Sequence, residues 1–315
     1  MLSFKRKENI FPKNHAFAFT VFDDTDLSTV ENVKPVYHFL LDLGLLTTKS
    51  VWPLNFVSGA PIGGETLQDK NYLEFVLWLQ QEGFEVGLHS VRNHDAIRED
   101  TLQGFEEFRR LIGQYPRTFA GHLANRENLY WGTDRFNQTT LRLGYNLATR
   151  FVRHNYFKGH CKDSLYFWGD ICQKYLSYIR NFVFNEINLD RINPTMPYHD
   201  PAKPFVNFWF SSCEGGDVQS FCQMISEVNQ DRLEAEGGVC IMYTHFAKGF
   251  CENGVLHTEF ERLLRRLAKK KGWFIPVATL LDHLQKGQTQ SIISPKELGR
   301  MERKWLWTKL RHGTS

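Results

Sequence analysis

The feature that most constrains what this chain can fold into is an alternation of strand-like and helix-like segments, beginning at residue 15 and running almost to the end. Such alternation is the signature of parallel strands joined by helical crossovers. His15 to Phe22 reads as the opening strand. Apolar residues at Val33, Val36, Tyr37, Leu40 and Leu41 then recur at helical spacing and stop at Gly44, a residue suited to a C-terminal cap. Thr48 to Leu54 predicts a second strand, Tyr72 to Gln81 a second helix, and Glu85 to Leu88 a short strand that delivers His89. Leu102, Phe105, Phe108, Leu111 and Ile112 form one stripe of a third helix, ended by Gly113 and Pro116. Thr118 to Gly121 predicts a fourth strand, and 139–150 mixes helix-like with strand-like residues. Further strands are expected at Phe205 to Phe210, Val239 to Tyr243 and Trp273 to Val277, with helices from Val218 to Glu234 and from Phe260 to Lys271. Residues 155–200 break the rhythm with many aromatics and the run MPYHDP. They read as an insertion packed beside the strand-and-helix body, within one main domain spanning 1–285.

Length and apolar content, 315 residues and 42% hydrophobic, suit one large core. Lysine plus arginine number 38 against 35 aspartate plus glutamate, a balance too even to argue for nucleic acid and compatible with a neutral, sugar-like substrate. No apolar stretch of signal-peptide length follows the first basic residues, and no run is long enough for a spanning helix, so the expected location is the cytoplasm. From Lys286 to Ser315 the chain is a basic tail, with Trp305 and Trp307 set among Arg303, Lys304, Lys309 and Arg311. Two readings stand: a helix docked on the body by its tryptophans, or peripheral contact with the inner face of an anionic membrane. The six cysteines are scattered without a CxxC pair and read as buried or semi-buried thiols.

In parallel strand and helix architectures, reacting side chains sit where strands end and loops begin. Three of the expected strands end in groups suited to metal-assisted hydrolysis: Asp23 with Asp24, His89, and His245. Adjacent carboxylates at a strand end point in different directions, so one can hold a cation while the other takes a proton from water. The competing role for Asp23, Asp24 or Asp26 is to cap the helix that begins near Thr29. His94 follows His89 by five places, about 140° apart on a regular helix, so both can reach one ion only from a loop. A zinc-like ion wants imidazoles, a carboxylate and an open position.

These pieces resemble the polysaccharide deacetylase family, the carbohydrate esterases that include chitooligosaccharide and peptidoglycan deacetylases. Residues 20–26, TVFDDTD, are similar to its Thr-Phe-Asp-Asp-Gly motif, which implies Asp23 as general base and Asp24 as metal ligand. HSVRNH opens like the family's His-Ser/Thr-x-x-His, but Asn93 stands where the second histidine belongs and His94 comes one place late. In FAGHLANRENLYWG, Ala120 occupies the place of the family's arginine. His122 is then an alternative ligand, Arg126 or Arg117 a substitute for the lost arginine, and Trp131 joins Arg126 as a candidate for binding substrate. The strand GGVCIMYTH is similar to the closing motif, whose histidine would make His245 the general acid.

The resemblance implies a distorted parallel (β/α) barrel of about seven strands. It also implies a divalent metal ion, zinc before others, held by Asp24, His89 and His94. The reaction expected is removal of an N-acetyl group from an amino sugar, an oligosaccharide or a lipid-linked glycan during cell-surface polysaccharide assembly. A catalytically silent glycan-binding relative and a hydrolase of a non-sugar amide are the alternatives.

Overall fold

A computed structural model describes residues 11–56, 62–288 and 291–312. Seven parallel strands form its centre: β1 (Phe17–Asp23), β2 (Thr48–Val51), β3 (Glu85–His89), β4 (Thr118–Ala120), β5 (Tyr178–Phe184), β6 (Phe208–Cys213) and β7 (Val239–Thr244). They are hydrogen-bonded in chain order, and β7 returns to pair with β1 from Ala18–Val239 to Asp23–Thr244, which closes the barrel. Every residue of β1 is buried, as a strand covered on both faces must be, which explains its near-continuous apolar run.

The hairpin of β8 (Cys251–Glu252) and β9 (Val255–Leu256) follows, and then β10 (Gly272–Phe274). β10 pairs with the N-terminal half of β1, outside the ring. Among the described residues ten α-helices accompany the strands: α1 (Val30–Asp42), α2 (Lys70–Gln81), α3 (Arg98–Ile112), α4 (Thr139–Ala148), α5 (Gly169–Tyr175), α6 (Val218–Met224), α7 (Glu227–Glu236), α8 (Thr258–Ala268), α9 (Val277–Lys286) and α10 (Pro295–His312). α3 ends as expected, with Gly113 at φ +86°, a conformation that spares only a residue without Cβ from strain.

Three expectations need correction. Residues 155–200 are not a separate insertion, because they contain α5 and β5, a full member of the barrel. The helix expected from Val218 to Glu234 is two helices, α6 and α7, separated at Ile225 and Ser226. The stretch 139–150 is helical through Ala148 and adds no strand. The cap of α1 is also settled: the Thr29 hydroxyl accepts from the Asn32 N–H while the Asn32 side chain accepts from the Thr29 N–H, at 3.3 and 2.9 Å. None of the three aspartates before it is used as a cap, and all three are buried.

The basic tail folds back as α10. Trp305 is buried against Phe136, Tyr145 and Phe182 with ring centroids 5.8, 6.5 and 5.8 Å away, while Trp307 is 58% exposed. No described helix is long and apolar enough to cross a membrane.

Candidate metal centre and active-site cavity

The C-terminal ends of the strands surround a cavity of about 700 Å³, whose lining includes Asp24, Asp26, His89, Arg180, Tyr243 and His245. His89 is the last residue of β3, His122 lies two residues beyond β4, and His245 directly follows β7. Asp24 and Asp26 follow β1. Strand register alone therefore brings groups from distant parts of the chain to one rim.

Asp26 is the hub. Its Oδ1 stands 3.2 Å from His89 Nε2 and 3.5 Å from His122 Nε2, and its Oδ2 stands 3.4 Å from His245 Nε2. One ligand atom from each of Asp26, His89 and His122 falls within 4.8 Å of the others, and all three residues are buried. Asp26 Oδ1 and His122 Nε2 make no hydrogen bond, although neither is exposed to solvent. Buried polar atoms without partners are rare and call for an explanation. A divalent ion fits this donor set, one carboxylate and two imidazoles with room for further ligands.

The surroundings orient the imidazoles. His122 Nδ1 donates to Asn125 Oδ1 at 3.1 Å, which leaves Nε2 with its lone pair toward Asp26. Asn125 is itself fixed by donating to the carbonyls of Arg92 and His94 and to Glu127. The N–H of His122 donates to Ser90 Oγ at 3.0 Å, tying the end of β4 to that of β3. Trp52 lies against both histidine rings, with centroids 6.1 Å from His89 and 5.7 Å from His122. Burial and the neighbouring His89 push the pKa of His122 down, against the pull of Asp26, which favours the neutral imidazole that a metal needs. Burial would raise the Asp26 carboxyl, but His245, His89 and His122 together hold it far below the usual range.

Asp24 and Asp23 have different settings. Arg180, in the middle of β5, grips Asp24 with two hydrogen bonds of 2.9 and 2.5 Å. The β5–β6 register slips between Arg180 and Phe182, an irregularity of the kind that re-aims side chains near active sites. Burial alone would raise the Asp24 pKa; the positive charges of Arg180, His89 and His245 outweigh it and keep the carboxylate ionised. Asp23 does not line the cavity. Its Oδ2 accepts from Lys49 Nζ at 2.7 Å and Tyr37 at 2.9 Å, and its Oδ1 accepts from the Phe246 N–H at 2.8 Å.

The other expected site residues are placed as follows. The His94 imidazole lies apart from the cluster, with Nδ1 donating to Asn93 Oδ1, so it is the backbone carbonyl of His94 that supports the site. Arg126 lies over the rings of Tyr156 and Tyr166 beside Asp95, outside the cavity lining, whereas Trp131 does line it. Arg117 pairs with Asp282 and is also outside. Sequence reasoning did not single out Asp26 as a ligand or Arg180 as a site residue. The third acid of TVFDDTD and an arginine inside an apolar run, YIRNFVF, were the available signals.

No protein-family model and no curated protein matches this sequence. Among solved structures, the chain is similar to an allantoinase, PuuE, at 11% identity and a TM-score of 0.52, over 90% of this chain and 94% of that one. It is similar to a protein described as a probable polysaccharide deacetylase from Pseudomonas aeruginosa at 13% identity and a TM-score of 0.50, over 88% of this chain and 93% of that one. The shared feature is architecture: this chain has the distorted parallel (β/α) barrel fold of the polysaccharide deacetylases.

Proposed function

We propose that this protein is a metal-dependent amidohydrolase that removes an N-acyl group, acetyl in the simplest case, from an amino sugar or glycan precursor. The observation that carries the reading is the convergence of Asp26, His89 and the buried His122 beside one cavity, which an arginine-held carboxylate and a strand-end histidine also line. A bound divalent ion would supply Lewis acidity, polarising the amide carbonyl and acidifying water. Asp26, His89 and His122 would hold it, in place of the Asp24, His89 and His94 set that the resemblance implies.

Asp24 takes the part of general base in place of Asp23, because it lines the cavity and Asp23 does not. It accepts a proton from water as the oxygen attacks the amide carbon. His245 donates Nδ1–H to the Gly216 carbonyl at 2.8 Å, which aims Nε2 into the site. From Nε2 a proton passes to the departing nitrogen as the C–N bond breaks, leaving an amine and a carboxylic acid.

The fold also hosts an allantoinase, so hydrolysis of a non-sugar amide is the second reading. A panel of N-acetylated sugars and small ureides, assayed by mass spectrometry with zinc, cobalt, nickel or manganese supplied, separates the two. Release of acetate from a sugar supports the first reading. A protein that retains no ion and cleaves none of the panel is instead a silent relative.

A further inference from the structure

Arg135 is a buried cation on the cavity wall that the reaction above does not use. It closes the short turn Gly132–Arg135, is 9% exposed, and shares the cavity with Asp24, His89 and His245. No described residue accepts a hydrogen bond from it or pairs with it, and its Nε is buried without a partner. Its company is aromatic: Cζ stands 4.7 Å from the ring centroid of Trp131, 4.4 Å from that of Trp305 and 5.9 Å from that of Phe182. Ring faces attract a guanidinium but offer no lone pairs to its five N–H groups. Of the other cations of the wall, Arg180 bonds Asp24 and Lys309 stands 3.2 Å from Glu214, while Lys248 is only half-buried and so open to water.

Burial, reinforced by Arg180 and only partly offset by Tyr145, pushes the Arg135 pKa down to about 10, so the side chain stays charged at neutral pH. A largely buried guanidinium whose Nε has no acceptor is costly unless something in the cavity supplies acceptors to the group. A sugar hydroxyl gives one neutral acceptor. The two oxygens of a carboxylate or phosphate match the parallel donors of the fork.

We propose that Arg135, backed by Trp131 and Trp305, is the anchor of an oxyanion subsite, so that the substrate carries a carboxylate or phosphate in addition to its scissile amide. The word substrate rests on the amidohydrolase reading; the anion subsite does not. It narrows the substrate class from neutral acetylated glycans to acidic or phosphorylated ones. It also gives α10 a part in the site, since Trp305 is one wall of the cage.

The test uses metal-free full-length protein, which removes anion binding at the ion itself. Tryptophan fluorescence is followed during titration with acetate and with inorganic phosphate, at ionic strength held constant with chloride. A saturable response that weakens roughly tenfold or more in Arg135→Met, and less in Arg135→Lys, is expected. A second arm compares binding of N-acetylglucosamine, N-acetylmuramic acid and N-acetylglucosamine 1-phosphate to the unmodified protein. Preference of roughly tenfold or more for one charged form supports the subsite and identifies carboxylate or phosphate as its source, even if the variants fail to fold. Equal binding of charged and neutral forms overturns it, as does a missing anion response or an equal one in Arg135→Met. If the anion response holds while the protein retains no metal and cleaves no amide, the subsite stands and the amidohydrolase reading falls.

Discussion

Asp24 and Asp26 are two residues apart and meet different partners, a guanidinium in one case and three imidazoles in the other. Their asparagine variants should therefore fail differently. Asp26→Asn should lose a stoichiometric divalent ion in elemental analysis, whereas Asp24→Asn should keep it and lose turnover by roughly 10²- to 10⁴-fold. Loss of the ion from Asp24→Asn instead would restore Asp24 as the metal ligand that the sequence resemblance implies. Glu127, behind Asn125, allows a second prediction. Burial raises its pKa from 4.5 to about 8, against hydrogen bonds from the Ala96 N–H and Asn125. The folded protein thus holds this proton more tightly than the unfolded chain does. The resulting stabilisation is fully present below pH 4.5 and is lost as pH rises through about 8, at about 1.4 kcal/mol per unit. Glu127→Gln should flatten the stability curve across that window, measured by denaturant midpoints with a chelator present. At this scale the strand-end histidines 89 and 245 were legible, since an apolar run ending in a histidine fixes where that histidine lies. Which acid of TVFDDTD faces the cavity was not, because it depends on how the chain turns after β1, where Leu27 adopts φ +61°.

β2 carries a buried lysine, which ordinary burial preferences argue against. Lys49 is fully buried, and its ammonium bridges Asp23 and Ser28 at 2.7 and 2.9 Å. Through Asp23 the same network reaches the N–H of Phe246, the residue after His245, so β2 helps to place the end of β7. Removing one member of a buried pair leaves the other charge stranded. Lys49→Met should cost about 3–5 kcal/mol, and adding Asp23→Asn should recover part of it. Urea midpoints of the two variants check this; a single variant within about 0.5 kcal/mol of the parent would mean that Asp23 is solvated from elsewhere. The elements whose patterns are local, such as α1, α3 and β3, were readable from period and punctuation alone. β5 was not: Arg180 and Asn181 interrupt its apolar run, its register shifts there, and its partners β4 and β6 are distant in sequence. What identifies YIRNFVF as a strand is the barrel around it, a property of the pairing and not of the segment.

For the molecule as a whole, ring closure by β1 and β7 sets the rim, and α10 supplies one side of the cavity through Trp305, Thr308 and Lys309. The basic composition of the tail is thus compatible with two faces that have separate tasks. One face carries Trp305 into the apolar cluster of Phe136, Tyr145 and Phe182 and over the Arg135 cation. The other leaves Trp307 exposed, with Arg311 over its ring at 4.6 Å. A buried indole that fills space among three rings cannot be truncated without leaving a cavity, so Trp305→Ala should destabilise the protein by about 3–5 kcal/mol. An exposed indole removes little, and Trp307→Ala should lie within about 0.5 kcal/mol of the parent. Thermal unfolding of the two variants, side by side, separates a docked wall from a free basic helix. Equal and small shifts would show that α10 does not hold its place on the body. In that event the cage around Arg135 would be open on one side, and the anion response should fall in Trp305→Ala no more than in Trp307→Ala.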